Sequence, residues 1–351
     1  MKTWRFGVLG SGFMGRTHAE AVQRTAGAEL RAVALGRRAE GLAQRCGVAC
    51  EPDLTALVNR ADIEVVIITT PHHLHLEEAE AAMRAGKHVL VEKPLATTVG
   101  DSVRLARVAA ECERVLAVGY HQRFRRNNRA ARAWLREGRL GALQMAQVSM
   151  PTFARNLQAG GFGGDWSWWN DPASRGHIFN SAPHAVDLLR WFTGEEVETV
   201  SAFCRSYLPE LTVEDSTLAT FAFSGGAIAS LYSSRALPAP AFPGEDFRFR
   251  LMGSKGMMDL DPMGEVQVAD EDGQRTISTQ PAIGYEGAET AFGDVRMQAY
   301  ADQNAAMIAA IEGRPSDIGR WLDGQAGVRV CDAILSSSAE RRWIELGASK
   351  S

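Results

Sequence analysis

Cysteine is scarce in this sequence, and long apolar runs are missing. Five cysteines are scattered over 351 residues, which is typical of reduced thiols in a cytosol and not of a disulfide framework. An apolar run such as VVII at 65–68 is far shorter than the roughly 20 residues that cross a bilayer. The opening residues, MKTWR, lead into a short apolar segment without the long hydrophobic stretch of a secretion signal. We therefore predict a cytoplasmic protein with no membrane partner.

The chain also lacks an excess of positive charge. Lys and Arg total 38 against 42 Asp and Glu, for a formal net charge of −4. Because non-specific nucleic-acid binding depends on many contacts between cationic side chains and phosphates, this balance excludes nucleic acid as the main partner and favours a small-molecule substrate. A chain of this length, 45% hydrophobic, can bury large cores without staples and is expected to form two domains.

Apolar runs alternate with helical periodicity in the first third of the chain. Continuous apolar strands separated by helices are typical of a parallel, doubly wound sheet. The pattern predicts an α/β Rossmann domain over residues 1–122. The predicted strands are 6–9, 30–34, 65–69, 88–91 and 115–118, and the predicted helices are 14–25, 76–85 and 99–112.

The pattern changes after about Arg123, where strand candidates follow one another across turns instead of helices. This texture predicts an α+β domain over 123–351, with a large, mostly antiparallel sheet that leaves one face open. The C-terminal helices are candidates for packing back on the first domain. The predicted strands are 197–207, 216–223, 227–234, 247–252 and 265–268, and the predicted helices are 296–311 and 324–340.

A glycine-rich turn, GSGFMG at residues 10–15, joins the first predicted strand to the first helix. In this context the pattern predicts dinucleotide binding, because Gly10 allows the tight turn and Gly12 lets backbone approach a pyrophosphate. Gly15 permits close packing of helix and strand, and the helix N-terminus supplies an anion site. The pattern leaves open a mere turn, or an adenine-containing cofactor without nicotinamide.

The end of the second strand distinguishes the two nicotinamide cofactors. A carboxylate there would bind the ribose 2′-hydroxyl and repel a 2′-phosphate, but the sequence reads ALGRR at 34–38. Arg37 and Arg38 offer the forked donors that suit a phosphate. We therefore predict NADP(H) in preference to NAD(H). The alternative is that both arginines are solvated residues at a helix start.

Two further segments are TPHHLH at 70–75 and AGKHVLVEKP at 85–94. With the glycine motif they resemble the family of glucose–fructose oxidoreductase, inositol dehydrogenase and rhizopine catabolism proteins (Gfo/Idh/MocA). In that family a Glu-Lys-Pro tripeptide ends the strand beside the nicotinamide and its lysine is catalytic, which implies that role for Lys93. A lysine at the carboxyl end of a parallel strand also lies in the cleft where such sheets bind ligands.

The resemblance continues through most of the chain, at 118–124, 138–141 and 169–172. It implies a homodimer or homotetramer formed through the open face of the second-domain sheet, where apolar strand residues need covering. It also implies that His72 lies near the nicotinamide ribose and that His75 corresponds to a residue that the family uses at this helix start. Metal sites usually recruit Cys, Asp or Glu as well as His, so we predict no metal at 72–75.

A second catalytic segment departs from the family pattern. Family members commonly have Asp-x-Gly-x-His before an apolar helix, whereas this chain reads NSAPHAVD at 180–187. His184 is a candidate acid/base partner, while Asn180 can orient a hydroxyl but cannot take a proton. On a helix, Asn180, His184 and Asp187 would share one face, with Asp187 a candidate for orienting His184. The replacement resembles a side branch that includes enzymes acting on non-sugar rings; the alternative for His184 is a buried structural histidine.

The residues and the resemblance together give a candidate site. The predicted catalytic residues are Lys93, His184 and Asn180. The predicted cofactor-binding residues are Gly10, Gly12, Phe13, Met14, Gly15, Arg37, Arg38, Thr70, Pro71, His72, His75, Glu92, Lys93 and Pro94. The predicted substrate-binding residues are Lys93, Tyr120, Arg123, Asn180 and His184.

These assignments predict hydride transfer between NADP(H) and a secondary alcohol or ketone of a sugar, inositol or related polyhydroxylated ring. Lys93 would exchange a proton with the substrate oxygen while the nicotinamide exchanges the hydride. Two alternatives stay open. One is the same chemistry on a non-sugar ring, such as a cyclic hemiacetal, a cis-dihydrodiol or an aromatic-derived carboxylate held by an arginine. The other is a non-catalytic dinucleotide-binding regulator.

Overall fold

The computed structural model describes residues 2–153, 167–208, 211–237, 247–281 and 290–347. These residues form two compact units. The first holds 2–121, 167–168 and 290–325, and the second holds the other described residues. All five cysteines are free thiols in this structure. Within the described ranges, no helix combines the length and apolar character needed to cross a membrane.

Strands and helices alternate early in the chain, and strands predominate later. In chain order they are β1 (Trp4–Leu9), α1 (Phe13–Gln23), β2 (Ala28–Ala34), α2 (Ala39–Cys46), β3 (Ala49–Glu51), α3 (Leu54–Asn59), β4 (Val65–Ile68), α4 (His75–Arg84), β5 (His88–Val91), α5 (Val99–Glu111), β6 (Leu116–Val118), α6 (Arg126–Arg136), β7 (Leu143–Phe153), α7 (Gly176–Thr193), β8 (Val197–Arg205), β9 (Ser216–Phe223), β10 (Ile228–Leu237), β11 (Arg248–Gly253), β12 (Gly256–Leu260), β13 (Glu265–Asp270), β14 (Gly273–Thr279), α8 (Asp294–Ile311), α9 (Trp321–Glu340) and β15 (Ile344–Glu345). Short 3-10 helices cover His72–Leu74, His121–Phe124, Ser167–Asn170, Pro172–Ser174 and Thr290–Phe292.

The first unit contains a six-stranded parallel sheet in the order β3-β2-β1-β4-β5-β6. It confirms the predicted doubly wound α/β architecture. Strands β4 and β5 are almost wholly buried, as expected where helices cover both faces of a parallel sheet. The strand order reverses between β1 and β4, and ligands bind at the carboxyl ends of strands beside such a reversal.

The stretch between β2 and β4 is the part of this unit that the sequence pattern does not predict. It folds as α2, β3 and α3, where β3 has three residues and pairs only with β2 among the described strands. α3 has six residues. Neither element is long enough to show a hydrophobic period that distinguishes it from a loop.

The C-terminal helix α8 packs on α1 in the first unit. Their contact is a buried cluster that includes Ala21, Phe292, Met297 and Tyr300, with Phe13 packed against it. The glycine-motif helix is therefore covered by residues that come almost 300 positions later in the sequence.

The second unit contains a nine-stranded sheet in the order β14-β13-β12-β11-β7-β10-β9-β8-β15. Neighbouring strands are antiparallel except β7 and β10, which are parallel. The predicted α+β domain with a mostly antiparallel sheet is thus confirmed. Helix α7 packs on β7, β9 and β10. Residues on β9 alternate between buried and exposed positions, as a sheet with one covered face requires.

Candidate active site

The glycine turn between β1 and α1 has the geometry of a phosphate-binding loop. Gly10 has a φ of +105°, and a Cβ on Gly15 would lie 2.1 Å from the Gly10 carbonyl oxygen, so both positions require glycine. A Cβ on Gly12 would meet nothing within 4 Å. No side chain of the described residues caps the N-terminus of α1. A helix start without a side-chain cap suits an anion.

A cavity of about 470 Å³ opens beside this turn. Its described lining includes four arginines and no carboxylate, which makes it suitable for an anionic ligand. The backbone N–H of Arg38 donates to Ser11 Oγ at 3.3 Å, so the loop after β2 is joined to the glycine turn. The lining residues are Ser11, Gly12, Phe13, Arg16, Arg37, Arg38, Gly41, Leu42, Arg45 and Phe292.

Two of these arginines were missed by the sequence analysis. Arg16 lies one turn into α1, where it pairs with Glu20 at 2.6 Å and stands over the Phe292 ring at 3.7 Å. Arg45 lies in the last turn of α2. If α2 had been recognised in the sequence, helical periodicity would have placed Arg45 on the same face as the residue that caps the helix start, two turns earlier.

The end of β4 is connected to the end of β5 by His75. Its Nε2 lies 3.0 Å from the Thr70 carbonyl oxygen and its Nδ1 lies 2.8 Å from the Pro94 carbonyl oxygen. The ring is fully buried, and this burial lowers the pKa of His75 despite both carbonyls. A neutral ring donates to only one of the two carbonyls. His75 therefore supports the shape of the predicted cofactor site from inside the unit.

Thr70 and His72 also lie inside the unit at this end of β4. The Thr70 hydroxyl donates to the Glu78 carboxyl group, whose pKa burial raises to about 7. His72 is buried, with its ring centroid 5.8 Å from that of His75. In the described part of the chain, no three His, Cys, Asp or Glu side chains are grouped so that they could hold a metal ion.

Glu92 and Lys93 follow β5 directly. The Glu92 carboxylate is buried, lies 2.8 Å from His18 Nε2 and accepts the backbone N–H of Lys93 at 3.2 Å. Burial opposes ionisation, but the hydrogen bond from His18 and the charge of Lys93 hold the pKa of Glu92 below its usual range. Lys93 itself is half-buried. Tyr120, which follows β6, is fully buried.

The predicted second catalytic segment is helical, as part of α7 in the second unit. Asn180 is half-buried on this helix, and His184 and Asp187 are buried. Arg123 Nε donates to Asp187 Oδ2 at 2.8 Å, and Arg123 Nη2 donates to the other oxygen. Arg123, predicted to bind substrate, is thus in a buried bidentate ion pair, and Asp187 is paired with this arginine.

The start of α7 is held by polar residues that the sequence analysis did not identify. Glu214 accepts the backbone N–H of Ile178, and burial raises the pKa of its carboxyl group to about 7. His177 Nε2 and Ser181 Oγ each lie 2.9 Å from Ser233 Oγ. These residues come from three separate stretches of sequence, so no local motif indicated them.

Comparisons with known proteins agree with this architecture. A family model described as an oxidoreductase family with an NAD-binding Rossmann fold matches residues 4–120, and one described as the GFO/IDH/MocA C-terminal domain matches residues 128–259. The inositol 2-dehydrogenase of Rhizobium meliloti (strain 1021) is 30% identical, over 98% of this chain and 99% of its own.

Two other relatives bear on the ligands. A solved structure of levoglucosan dehydrogenase in complex with NADH and levoglucosan has a TM-score of 0.83 and 25% identity, covering 99% of this chain and 100% of its own. The 1-carboxy-3-chloro-3,4-dihydroxycyclohexa-1,5-diene dehydrogenase of Comamonas testosteroni is 31% identical, over 52% of this chain and 45% of its own.

Proposed function

The chain belongs to the Gfo/Idh/MocA family of oxidoreductases, and we propose that it transfers hydride between NADP(H) and a ring carbon of a sugar, an inositol or a related polyol. Its broader activity is that of an NAD(P)-dependent dehydrogenase or reductase acting on CH–OH groups. This activity excludes the alternative of a non-catalytic regulator. The observation that carries the finer proposal is the position of Lys93, directly after β5 at the sheet edge that also bears the glycine turn.

The first unit fits a dinucleotide in three ways. The open face at Gly12 and the uncapped start of α1 suit a pyrophosphate. The arginine-lined cavity beside the turn suits the phosphate-bearing ribose of NADP(H). When bound, the nicotinamide supplies or accepts the hydride.

The protein's own residues transfer the proton to and from the substrate oxygen. The Lys93 Nζ ammonium donates a proton to the substrate oxygen in reduction, and the neutral amine removes it in oxidation. Asn180 and His184 on α7 are proposed to hold the neighbouring hydroxyl, with His184 able to share the proton. Asn180 supplies a donor and an acceptor but no charge, so the ionisable groups of this scheme are Lys93 and His184.

Cofactor preference is tested by titrating the purified protein with NADPH and NADH. Quenching of tryptophan fluorescence and enhancement of reduced-nicotinamide fluorescence report binding. Charge-assisted hydrogen bonds from Arg37 and Arg38 to a 2′-phosphate predict a Kd for NADPH at least about 10-fold lower than for NADH. Equal affinities would contradict the role of the arginines, and binding of neither would remove the basis of the proposed reaction.

Substrate class is tested with the preferred cofactor on a panel of inositols, aldoses, ketoses and anhydrosugars. Reduced nicotinamide is followed at its absorbance maximum, and each alcohol is run in the oxidative direction. The proposal expects saturable turnover on at least one neutral polyhydroxylated ring. Turnover on none of them would shift the assignment to the second candidate.

The second candidate is the same hydride transfer on a carboxylated ring diol. Two observations favour it: Asn180 replaces the aspartate common in the family, and the similar enzyme from Comamonas testosteroni is named for a carboxylated cyclohexadiene diol. Arg125 and Arg235, which are buried in the second unit, are candidate carboxylate ligands. Matched pairs of substrates, each acid against its amide, separate the two candidates, because only the second expects kcat/KM to fall sharply for the amide.

We also propose that two copies of the chain associate through the second-unit sheet. Phe203 and Leu218 are 64% and 59% exposed on neighbouring strands, and Ile228 is 49% exposed on the next strand. Exposed apolar patches of this kind mark interfaces. Leu218→Arg is expected to convert the oligomer to monomer in light scattering, whereas Val103→Arg, an exposed position on α5, should leave the mass unchanged.

A further inference from the structure

A buried histidine of α1 lies beneath the residue that precedes the proposed catalytic lysine. His18 is fully buried, and its Nε2 lies 2.8 Å from the Glu92 carboxylate. The other carboxylate oxygen accepts the backbone N–H of Lys93. The carboxylate therefore joins an atom of α1 to the backbone of Lys93, across 74 positions of sequence.

The hydrogen bonding of His18 determines which ring nitrogen carries the proton that Glu92 accepts. Its Nδ1 has no hydrogen-bond partner among the described residues, so a proton there would leave a buried N–H unsatisfied, at a substantial cost in free energy. Nε2 therefore carries a proton, which it donates in the hydrogen bond to Glu92. This N–H donor orients the carboxylate.

The surroundings leave Glu92 little freedom to move. A Cβ on Gly119 would lie 2.9 Å from Glu92 Oε1 and 3.1 Å from Oε2. The Tyr300 ring stands edge-on to His18, with centroids 5.4 Å apart, and stacks on His121 at 4.4 Å. His18 is therefore confined by α8 on one side and bound to Glu92 on the other.

Among the described residues, the titratable groups that act on Glu92 include His18 from α1, Lys93 beside it in sequence, and His75 from α4. His75 is directed at two backbone carbonyls, and its burial disfavours the charged form. Of these groups, Lys93 is the one proposed to carry the substrate proton, and its charge and the Glu92 charge attract each other.

We propose that His18 is a positioning residue for catalysis, which holds the Glu92 carboxylate so that it fixes the backbone of Lys93 and stabilises the Lys93 ammonium. This inference rests on the proposed function, because it assumes that Lys93 carries the proton. His18 and Glu92 touch neither substrate nor reacting atoms in this scheme. They act by setting the place of Lys93 and the pH at which it gains its proton.

Four variants separate position from charge. His18→Leu removes the donor, while His18→Gln keeps an N–H at about the place of Nε2. Glu92→Gln keeps the size and an acceptor but removes the charge. Gly119→Ala displaces the carboxylate. His73→Gln and Gly100→Ala are matched controls, since His73 is exposed on a neighbouring turn and a Cβ on Gly100 meets nothing closer than 3.9 Å.

His18→Leu and Gly119→Ala are expected to lower kcat roughly 10- to 100-fold, since small displacements of a catalytic group have effects of this size. KM for the cofactor should change less than about twofold, because neither substituted residue is among the predicted cofactor-binding residues. His18→Gln should restore most of the lost kcat. In Glu92→Gln, the limb of the oxidation profile that rises with pH should move about one unit lower, because the opposite charge that favours the ammonium is gone.

A second measurement does not depend on turnover. The sequence has only five lysines, at positions 2, 87, 93, 255 and 350, so reductive methylation with a ¹³C label gives a small set of NMR signals. Lys93→Arg identifies the Lys93 signal by its loss. We expect its titration midpoint to fall in Glu92→Gln and, to a smaller extent, in His18→Leu, with both control variants matching the wild type.

The possible outcomes are distinct. An unchanged Lys93 titration in Glu92→Gln, or a full wild-type kcat in His18→Leu, would overturn the inference while leaving the proposed function intact. A fully active Lys93→Met variant would instead remove Lys93 from the chemistry and with it the proposed function's proton carrier. If His18→Leu does not fold, Glu92→Gln decides the matter, because it preserves the hydrogen bond from His18.

Discussion

Each of the two units buries a carboxylate beside a proposed catalytic residue, and the two carboxylates have different partners. In the first unit, Glu92 accepts a hydrogen bond from the His18 imidazole and another from the backbone N–H of Lys93. In the second, Asp187 lies three positions after His184 and meets both arms of the Arg123 guanidinium.

The difference separates a carboxylate that can tune a reaction from one that anchors a helix. A bidentate arginine balances the charge of Asp187, so what this carboxylate provides is a buried connection between α7 and the segment that carries Arg123. Glu92 instead accepts a single ring N–H from His18 and the backbone N–H of Lys93, so this carboxylate is joined directly to the proposed catalytic residue. The identity of the donor, and not burial alone, decides what a buried carboxylate does for a site.

The largest expected effect concerns Lys93. Lys93→Met should lower kcat by about 10² to 10⁴-fold with cofactor affinity largely retained, because it removes the proton carrier and leaves the glycine turn intact. Steady-state kinetics and NADPH titration measure the two quantities. Lys255→Met, at an exposed position of the second unit, is the control. Near-normal turnover in Lys93→Met would show that Lys93 does not carry the proton, so the Glu92 charge would have no catalytic residue to stabilise.

The next largest effect concerns the stability of the second unit. Arg123→Met leaves the buried Asp187 carboxylate without its arginine partner and is expected to lower the free energy of unfolding by about 3–5 kcal/mol. Arg123→Met combined with Asp187→Leu should recover most of that loss, because neither charge remains. Urea denaturation of both variants measures the difference.

The same pair of variants tests Arg123 as a substrate-binding residue. If stability recovers in the double variant but KM for an acidic substrate stays raised, Arg123 has a role beyond anchoring. If KM is as in the wild type, anchoring is its whole contribution.

A smaller effect is expected for the cavity arginines, which contrast with Arg123 because they line an open cavity. Arg37→Ser together with Arg38→Ser should weaken NADPH binding about 10- to 100-fold, since each forms charge-assisted hydrogen bonds to a phosphate in the proposed complex. NADH binding should be unchanged. Arg107→Ser on α5, whose side chain is 68% exposed, is the control; a parallel loss for NADH would mean that the arginines do not discriminate the 2′-phosphate.

The smallest expected effect is on the pH dependence of the free energy of unfolding, and it applies to both units. Burial raises the pKa of Glu78 and of Glu214 to about 7. Glu78 faces the Thr70 hydroxyl and the charge of Glu77, and Glu214 faces the N–H of Ile178 together with Arg235 and Asp215. Each unit thus has a carboxyl group that burial dominates.

The direction of the pH dependence follows from the pKa of each carboxyl group in the folded and unfolded states. The unfolded carboxyl loses its proton near pH 4.5, before the folded one, so the free energy of unfolding falls as pH rises from about 4.5 to 7 and stays lower above it. Glu78→Gln and Glu214→Gln should each flatten this fall by about 1–2 kcal/mol. Denaturation at pH 5 and pH 8 measures it, and an unaltered pH dependence in both variants would show that neither group is buried in its acidic form.

Local patterns carried the prediction of the fold and of part of the site. The boundaries of β5 and the residues of the glycine turn could be predicted from short runs of sequence, because each side chain in these runs fits only one kind of environment. The helical form of 180–187 follows from its apolar continuation in α7. The short elements α2, β3 and α3 could not be predicted because they are stabilised by packing on the sheet and not by a period of their own.

The polar partners could not be predicted for a different reason. His18 meets Glu92 across 74 positions, Arg123 meets Asp187 across 64, and Ile178 meets Glu214 across 36. A single sequence contains no signal of such pairing, because each residue alone fits a surface equally well. They become visible only when the strands and helices are in place.

The late return of residues 290–325 to the first unit bears on how the protein is made. During synthesis α1 emerges early, but Phe292, Met297 and Tyr300, which cover it, leave the ribosome only after every strand of the large sheet except β15 has been translated. A chain stopped at residue 122 would hold the glycine turn, yet lack the rings that pack on Phe13 and confine His18. A nascent chain therefore cannot complete its first unit until the residues up to 325 have been synthesised.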